Sequence, residues 1–129
     1  MGHLLGNAVR FGVAANVAID VMAAGEGIET MLSLRTILPA LPMVAALSAN
    51  HLAAILFPAT LRRLYVARDR DRAGDFALAR LARRAREAGI EPFALSPTHG
   101  DFNDDLRRLG SDRLRAALLS QLAPDERAG

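Results

Sequence analysis

A chain of 129 residues, 51% of them apolar, is sized for one domain with a single core and has little room for a second. Only 5% of the residues are aromatic and none is cysteine, so Ala, Leu, Val and Ile must build the core; disulfide frameworks and thiolate metal sites are excluded, which fits a reducing cytoplasm. The formal charge of +2 conceals an asymmetry, because all sixteen basic residues are Arg; Arg is a good bidentate partner for phosphate, but a bias toward Arg and Ala codons is the better reading of the missing Lys.

Residues 1–16 contain several Gly and little pattern, with a short candidate strand at Ala8–Phe11, and read as an N-terminal arm. Val17–Ala24 predicts a strand and Ile28–Leu38 a helix stopped by Pro39. Met43–Leu47 is a second strand, followed by a short helix capped by Asn50 that ends before Pro58. Leu64–Ala67 is a third strand, and Gly74–Ala88 is the longest helix, closed by Gly89. Pro92–Leu95 is a fourth strand, and Leu114–Leu122 a last helix begun by Ser111 or Asp112. The domain proper thus spans residues 17–122, and the polar residues 123–129 read as a flexible, frayed tail.

No segment predicts a membrane span. The apolar stretch Ile37–Leu61 is broken by Pro39, Pro42, Asn50, His51 and Pro58, whereas a span needs about 20 apolar residues in a row. Met1–Ala24 is interrupted by Arg10 and Asp20 and lacks the compact basic region of a signal peptide. The sequence reads as a soluble cytoplasmic protein.

The strands are continuous apolar runs, which means that both faces of the sheet are covered. Strand–helix alternation with short loops builds right-handed βαβ units, giving an α/β three-layer sandwich around a central, mostly parallel four-stranded sheet. In the longest helix Ala77, Leu78, Leu81, Ala85 and Ala88 make one apolar stripe, with Arg80, Arg83, Arg84 and Glu87 opposite. Ligands of such sheets bind outside the carboxyl ends of the strands. Three acidic clusters follow strands there: Gly25-Glu26-Gly27-Ile28-Glu29-Thr30, Arg68-Asp69-Arg70-Asp71-Arg72-Ala73-Gly74 and Gly100-Asp101-Phe102-Asn103-Asp104-Asp105.

Carboxylates gathered on one edge repel one another unless a cation sits among them, and a hard divalent ion with oxygen ligands is the usual solution. Asp69 and Asp71 are two apart, so an extended segment sends both side chains to one side, where they can share Mg²⁺; alternatively Asp71 is only the cap of the next helix. Glu26 sits between two glycines at a strand-to-helix turn, where it can ligate metal or exchange a proton with a reacting 3′-oxygen. Helix N-terminal amides just beyond favour phosphate. Glu29, in the first helical turn, is better read as a partner of the helix dipole. Asp101, Asn103 and Asp104 are dense in oxygen ligands, yet all are ordinary turn and cap residues. His51 and His99 read as loop residues.

Together these motifs resemble the Toprim domain, the metal-binding catalytic module of bacterial-type primases, type IA and type II topoisomerases and some nucleases. Glu26-Gly27 and Asp69-Arg70-Asp71 stand where that family has its Glu-Gly turn and Asp-x-Asp. The run Glu26–Thr30 with Leu32-Ser33, the Asp69–Gly74 spacing and Gly100-Asp101-Phe102-Asn103-Asp104-Asp105-Leu106 are similar to Toprim domains of phage and plasmid primase-like proteins. The last motif has one residue fewer between Gly and Asp. The resemblance covers about Val17–Leu122 and implies a Rossmann-like sandwich, Glu26 as general acid–base, Asp69 and Asp71 as ligands of Mg²⁺ (or Mn²⁺), and Asp101 completing the site with Asn103, Asp104 and Glu29 in support. Arg68, Arg70 and Arg72 depart from the family's small residues around Asp-x-Asp; they either bind substrate phosphate or neutralise the carboxylates.

The resemblance implies DNA and nucleoside triphosphates as partners and nucleotidyl transfer in DNA replication as the function. Primases of this kind carry a further catalytic subdomain, and often a zinc module, ahead of the Toprim. This sequence shows no such region, so the chain reads as a fragment, a remnant or a partner to other chains, with a primase catalytic or helicase domain expected to complete the activity. Metal-dependent DNA cleavage is the competing chemistry. The single Tyr65 lies in a core strand, where it packs rather than attacks. A non-catalytic module is the third reading, with Arg80, Arg83 and Arg84 following a phosphate backbone.

Overall fold

The computed structural model describes residues 8–11, 18–69 and 71–127. Among these residues five strands form one sheet in the order β1-β3-β2-β4-β5. They are β1 (Ala8–Phe11), β2 (Val21–Glu26), β3 (Met43–Ala46), β4 (Arg63–Ala67) and β5 (Glu91–Leu95). Strands β2 to β5 are parallel, as the continuous apolar runs predict. β1, part of the segment read as an arm, adds an antiparallel edge against β3.

Alternate residues of each strand point to opposite faces, and each face has its own helical layer. Met22, Ala24, Val44, Ala46, Leu64 and Val66 pack with Leu52 of α2 (Ala49–Ala53) and Ala77, Leu81 and Ala85 of α3 (Arg72–Glu87). Ala23, Met43, Ala45, Tyr65 and Ala67 pack with Met31, Leu34 and Ile37 of α1 (Ile28–Ile37), Phe102 of α4 (Phe102–Leu109), and Leu114 and Leu118 of α5 (Ser111–Leu119). The sandwich therefore has three layers. Among the described residues no helix is long and apolar enough to cross a membrane.

Boundaries differ from the sequence reading where pairing overrides propensity. The first parallel strand starts at Val21, opposite Arg63, because the Asp20 carbonyl accepts the Arg62 and Arg63 amides. It runs on to Glu26, opposite Ala46, so Glu26 ends a strand rather than sitting in a turn. Ser48, not Asn50, caps α2, its Oγ accepting the His51 amide at 3.1 Å. The sequence predicts no helix at α4, since its acidic start reads as a loop.

The polar stretch after Ala123, expected to be frayed, contains a helical turn, α6 (Pro124–Arg127). Its carboxylates close a network at the amino end of the parallel strands. Arg63 donates to Asp125 at 2.8 Å and to Glu126 at 2.7 Å, and also to Glu91 at 2.8 Å. The buried Tyr65 hydroxyl donates to Glu126 and accepts the Ala123 amide at 2.9 Å. Tyr65 thus packs and staples, as expected of a core strand residue.

At the far edge, the Glu91 amide donates to the Arg62 carbonyl at 2.9 Å. Amides alternate in direction along a strand, so the ring nitrogen of Pro92 faces the open side and costs the ladder nothing.

Candidate active site

Chain direction alone collects the acidic motifs. From β2 the chain passes through α1 to β3 on one side, then crosses back through α2 to β4 on the other. That reversal puts the switch point at the carboxyl ends of β2 and β4, where open α/β sheets bind ligands. Glu26 is the last residue of β2, and Asp69 lies two residues past β4.

The glycines of the first motif have separate tasks. A Cβ on Gly25 would lie 3.0 Å from the Ala67 carbonyl oxygen and 3.1 Å from its Cβ, so Gly25 lets β2 and β4 close up beneath the site. Gly27 takes φ 88°, a left-handed value that suits Gly, and its amide donates to the Ala46 carbonyl at 2.8 Å. It is also the N-cap of α1 and supplies no side chain to the free amides of the first turn. Glu26, Gly27, Glu29, Thr30, Leu47 and Asp69 line one open hollow over that helix start.

The second motif is a tight turn rather than an extended segment. The Asp71 amide donates to the Asp69 carbonyl at 2.9 Å, and Asp71 Oδ1 accepts the Gly74 amide at 2.6 Å as the N-cap of α3. One oxygen of Asp71 is therefore committed to the helix. Gly74 completes the turn by being small, since a Cβ there would stand 2.4 Å from the Asp69 carbonyl oxygen.

Asp101 caps α4 in the same manner, its Oδ1 accepting the Asp104 amide at 2.7 Å. The sequence offered cap and cation ligand as alternatives for these residues; each cap uses one oxygen, and among the described residues the other has no hydrogen-bond partner.

Asp69 reports how closely these groups gather. Partial burial, then the negative charges of Glu26, Asp71 and Asp101, push its carboxyl up from 3.8 to about 6. All four predicted acids are thus within electrostatic reach of one another. They do not converge as a finished coordination shell: among the described residues no three such side chains are set to ligate one ion. The two facts are compatible, because charges interact over about 10 Å whereas a Mg–O bond requires about 2 Å.

The other predicted residues divide. Glu29 is exposed in the first turn of α1, on the rim of the hollow. Asn103 is turned to α1, where its Oδ1 accepts from Ser33 Oγ at 3.2 Å. Asp104 faces Arg107 and Arg108 at 3.1 and 3.2 Å. Neither is presented as a free ligand. Arg68 pairs with Asp75 at 2.7 Å rather than with Asp69 or Asp71. Arg72 is exposed at the start of α3, and Arg70 lies outside the described residues.

The helical Arg stripe needs one correction. Arg84 donates to the Ala53 and Ile55 carbonyls at 2.8 and 2.9 Å and stacks on Phe57, so it holds the end of α2 and is not free for a backbone. Arg80 and Arg83 remain exposed.

The model of the Toprim domain matches residues 21–112, from the first residue of β2 into α5. The chain belongs to the Toprim family. This Toprim chain is similar in fold to the primase fragment of the bacteriophage T7 primase–helicase, with a TM-score of 0.62 and 18% identity over 82% of this chain and 44% of that one. It is likewise similar to a DNA primase domain from Pseudomonas aeruginosa, with a TM-score of 0.58 and 23% identity over 82% of this chain and 35% of that one. The chain thus spans less than half the length of either structure. No curated protein sequence matches it.

One residue escaped the sequence reading. Asp105, 1% exposed, accepts the Thr98 and His99 amides and the His99 Nδ1 proton, each at 2.7 Å. It fixes the loop that delivers Asp101 and makes His99 more than a loop residue. A signal was available: Phe102, Asp105 and Leu106 recur at helical spacing, which puts Asp105 on the core side of a helix that starts at the acidic motif.

Proposed function

We propose that this Toprim domain is the metal-binding half of a primase-like nucleotidyltransferase, acting on nucleoside triphosphates and DNA. The observation that carries the reading is that Glu26 and Asp69 line one hollow at the carboxyl ends of β2 and β4, where partial burial and then the charges of Glu26, Asp71 and Asp101 push the Asp69 carboxyl up. Four carboxylates gathered at the carboxyl ends of the strands and the helix starts beyond them, with no Arg of the described residues paired to Asp69 or Asp71, suit an exogenous hard cation. Their donor set is all oxygen, as Mg²⁺ or Mn²⁺ prefers, and few direct protein ligands are needed because Mg²⁺ keeps several waters. Asp69 and the Asp71 oxygen not used in capping α3 would hold it, with Asp101 beside them. When bound, the ion supplies charge neutralisation for the triphosphate.

The chain's own residues do the rest. The uncapped amides at the start of α1 face the same hollow as Glu26 and Asp69 and attract phosphate. Glu26 takes the proton of the attacking 3′-hydroxyl as its oxygen bonds to the α-phosphorus and pyrophosphate leaves. A further domain is expected to present the primer end. Cytoplasmic placement accords with the absence of Cys.

Mn²⁺ titration monitored by electron paramagnetic resonance tests the site directly. Binding by the wild type that is weakened at least tenfold in Asp69→Asn supports it; equal binding by both sinks it. Dinucleotide synthesis on a single-stranded template with a supplied primase subdomain, lost in Glu26→Gln, then separates nucleotidyl transfer from cleavage. Metal-dependent nicking of plasmid DNA in place of synthesis would assign the domain to nucleases. A tyrosine-nucleophile reaction is disfavoured by Tyr65, the only tyrosine, which is 0% exposed.

A further inference from the structure

Beyond the carboxylate edge, one exposed aromatic stands out. The chain has five Phe, one Tyr and no Trp, yet Phe76 is 53% exposed on α3. It lies opposite the buried stripe of Ala77, Leu81 and Ala85, so packing does not require it. At about 100° per residue, positions 72, 76, 79, 80, 83 and 87 fall within a sector of roughly 100° on the outward face. That sector presents Arg72, Arg80 and Arg83 against one carboxylate, Glu87, which sits 3.8 Å from Arg83. Phe76, Arg80 and Arg84 also line an open hollow with Asn50, Ala53 and Ala54 of the α2 segment. Arg84 is fixed there as wall by its bonds to the Ala53 and Ile55 carbonyls. Neither Arg72 nor Arg80 has an ionic partner among the described residues.

We propose that this face of α3 is a binding track for single-stranded nucleic acid, with Phe76 stacking on a base and Arg72, Arg80 and Arg83 contacting phosphates. A flat ring flanked by cations one turn away on either side matches what an unpaired strand offers, a base face between phosphates. A duplex keeps its base faces stacked and cannot use Phe76. The track also has a direction. Arg72 follows the cap residue Asp71 directly, so the stripe runs about 16 Å along α3 from the carboxylate cluster. A strand lying on it enters or leaves that cluster. This deepens the reading of the cluster as a site acting on DNA and rests on it for that connection alone; binding on the track needs no metal.

Fluorescence anisotropy of a labelled oligo-dT, titrated with the full chain in EDTA over a salt series, tests the proposal. Phe76→Ala should weaken binding roughly fivefold or more without changing the salt slope. The Arg80→Gln/Arg83→Gln pair should lower the slope of log K against log salt by about 1.4. Phe76→Leu keeps apolar bulk and loses the flat ring, so it should follow Phe76→Ala and guards against a folding artefact. Affinity unchanged in both Phe76 variants, or duplex bound more tightly than single strand, overturns the track and leaves this face as a docking surface for a protein domain. Because EDTA removes the cation, loss of the track with Mn²⁺ binding intact is distinguishable from failure of the carboxylate site.

Discussion

Replacing Asp69 by Asn removes one charge from the most crowded point of the sheet edge while keeping the size of the side chain. Burial and three neighbouring carboxylates hold this carboxyl at about 6 instead of 3.8. That gap sets a ceiling of about 3 kcal/mol on the cost of ionising it in the folded state. Asp69 is partly open to water, so screening reduces the figure to about 1 kcal/mol. The sign follows from linkage. A carboxyl raised on folding binds more protons in the native than in the unfolded state, so native stability falls as pH rises from about 4 to about 6 and stays lower above that. An amide in the same place cannot ionise. In EDTA near pH 7.5, Asp69→Asn should therefore melt about 4 °C above wild type by circular dichroism, and the gap should close near pH 4. Millimolar Mg²⁺ should reverse the order, raising the wild-type midpoint and leaving the variant where it was. A variant that melts at or below wild type at neutral pH in EDTA refutes the crowding argument. Equal stabilisation of both proteins by Mg²⁺ refutes the assignment of Asp69 as ligand.

Three further outcomes follow from particular contacts. Gly74→Ala puts a Cβ 2.4 Å from the Asp69 carbonyl oxygen and should cost about 2 kcal/mol in urea unfolding while also weakening Mn²⁺ binding; no change in either would show that the turn is not fixed by Gly74. Asp105→Asn leaves one of three part-buried donors without an acceptor and should cost about 1–2 kcal/mol, with the His99 side-chain resonances shifted in NMR spectra. Tyr65→Phe removes the partner of Glu126 and of the Ala123 amide and should cost about 1–2 kcal/mol, yet leave Mn²⁺ affinity untouched because it acts at the opposite edge.

The fold was largely legible because its signals are local and redundant. Four apolar runs, each followed by a helical pattern, fix a parallel sheet, and strand polarity then carries Glu26, Asp69 and Asp101 to one edge without further information. What escaped depended on contacts across the chain. α4 was masked because Asp101, Asn103, Asp104 and Asp105 are turn formers by composition, and the spacing of Phe102, Asp105 and Leu106 gains its meaning once Phe102 packs into the core beside α1. The C-terminal turn looked frayed because Asp125 and Glu126 are polar; their partner, Arg63, lies about sixty residues earlier. Arg84 looked equivalent to Arg80 and Arg83 by spacing, and the carbonyls of Ala53 and Ile55 decide otherwise. At the site itself residue types were readable from the motifs. The division of each aspartate between capping and free oxygen was not, since it depends on the backbone of the turns.

Pro92 bears on how this domain meets its neighbours. In the five-residue edge strand β5 the positions that turn their backbone nitrogen outward are 92 and 94, and Pro92 has no proton to give. An incoming strand would find a single amide donor at Ala94, too little to template a sixth strand. The β5 edge is therefore closed to sheet extension and to self-templated aggregation, and on that side association with other domains is left to the helical faces and the loops of the acidic edge.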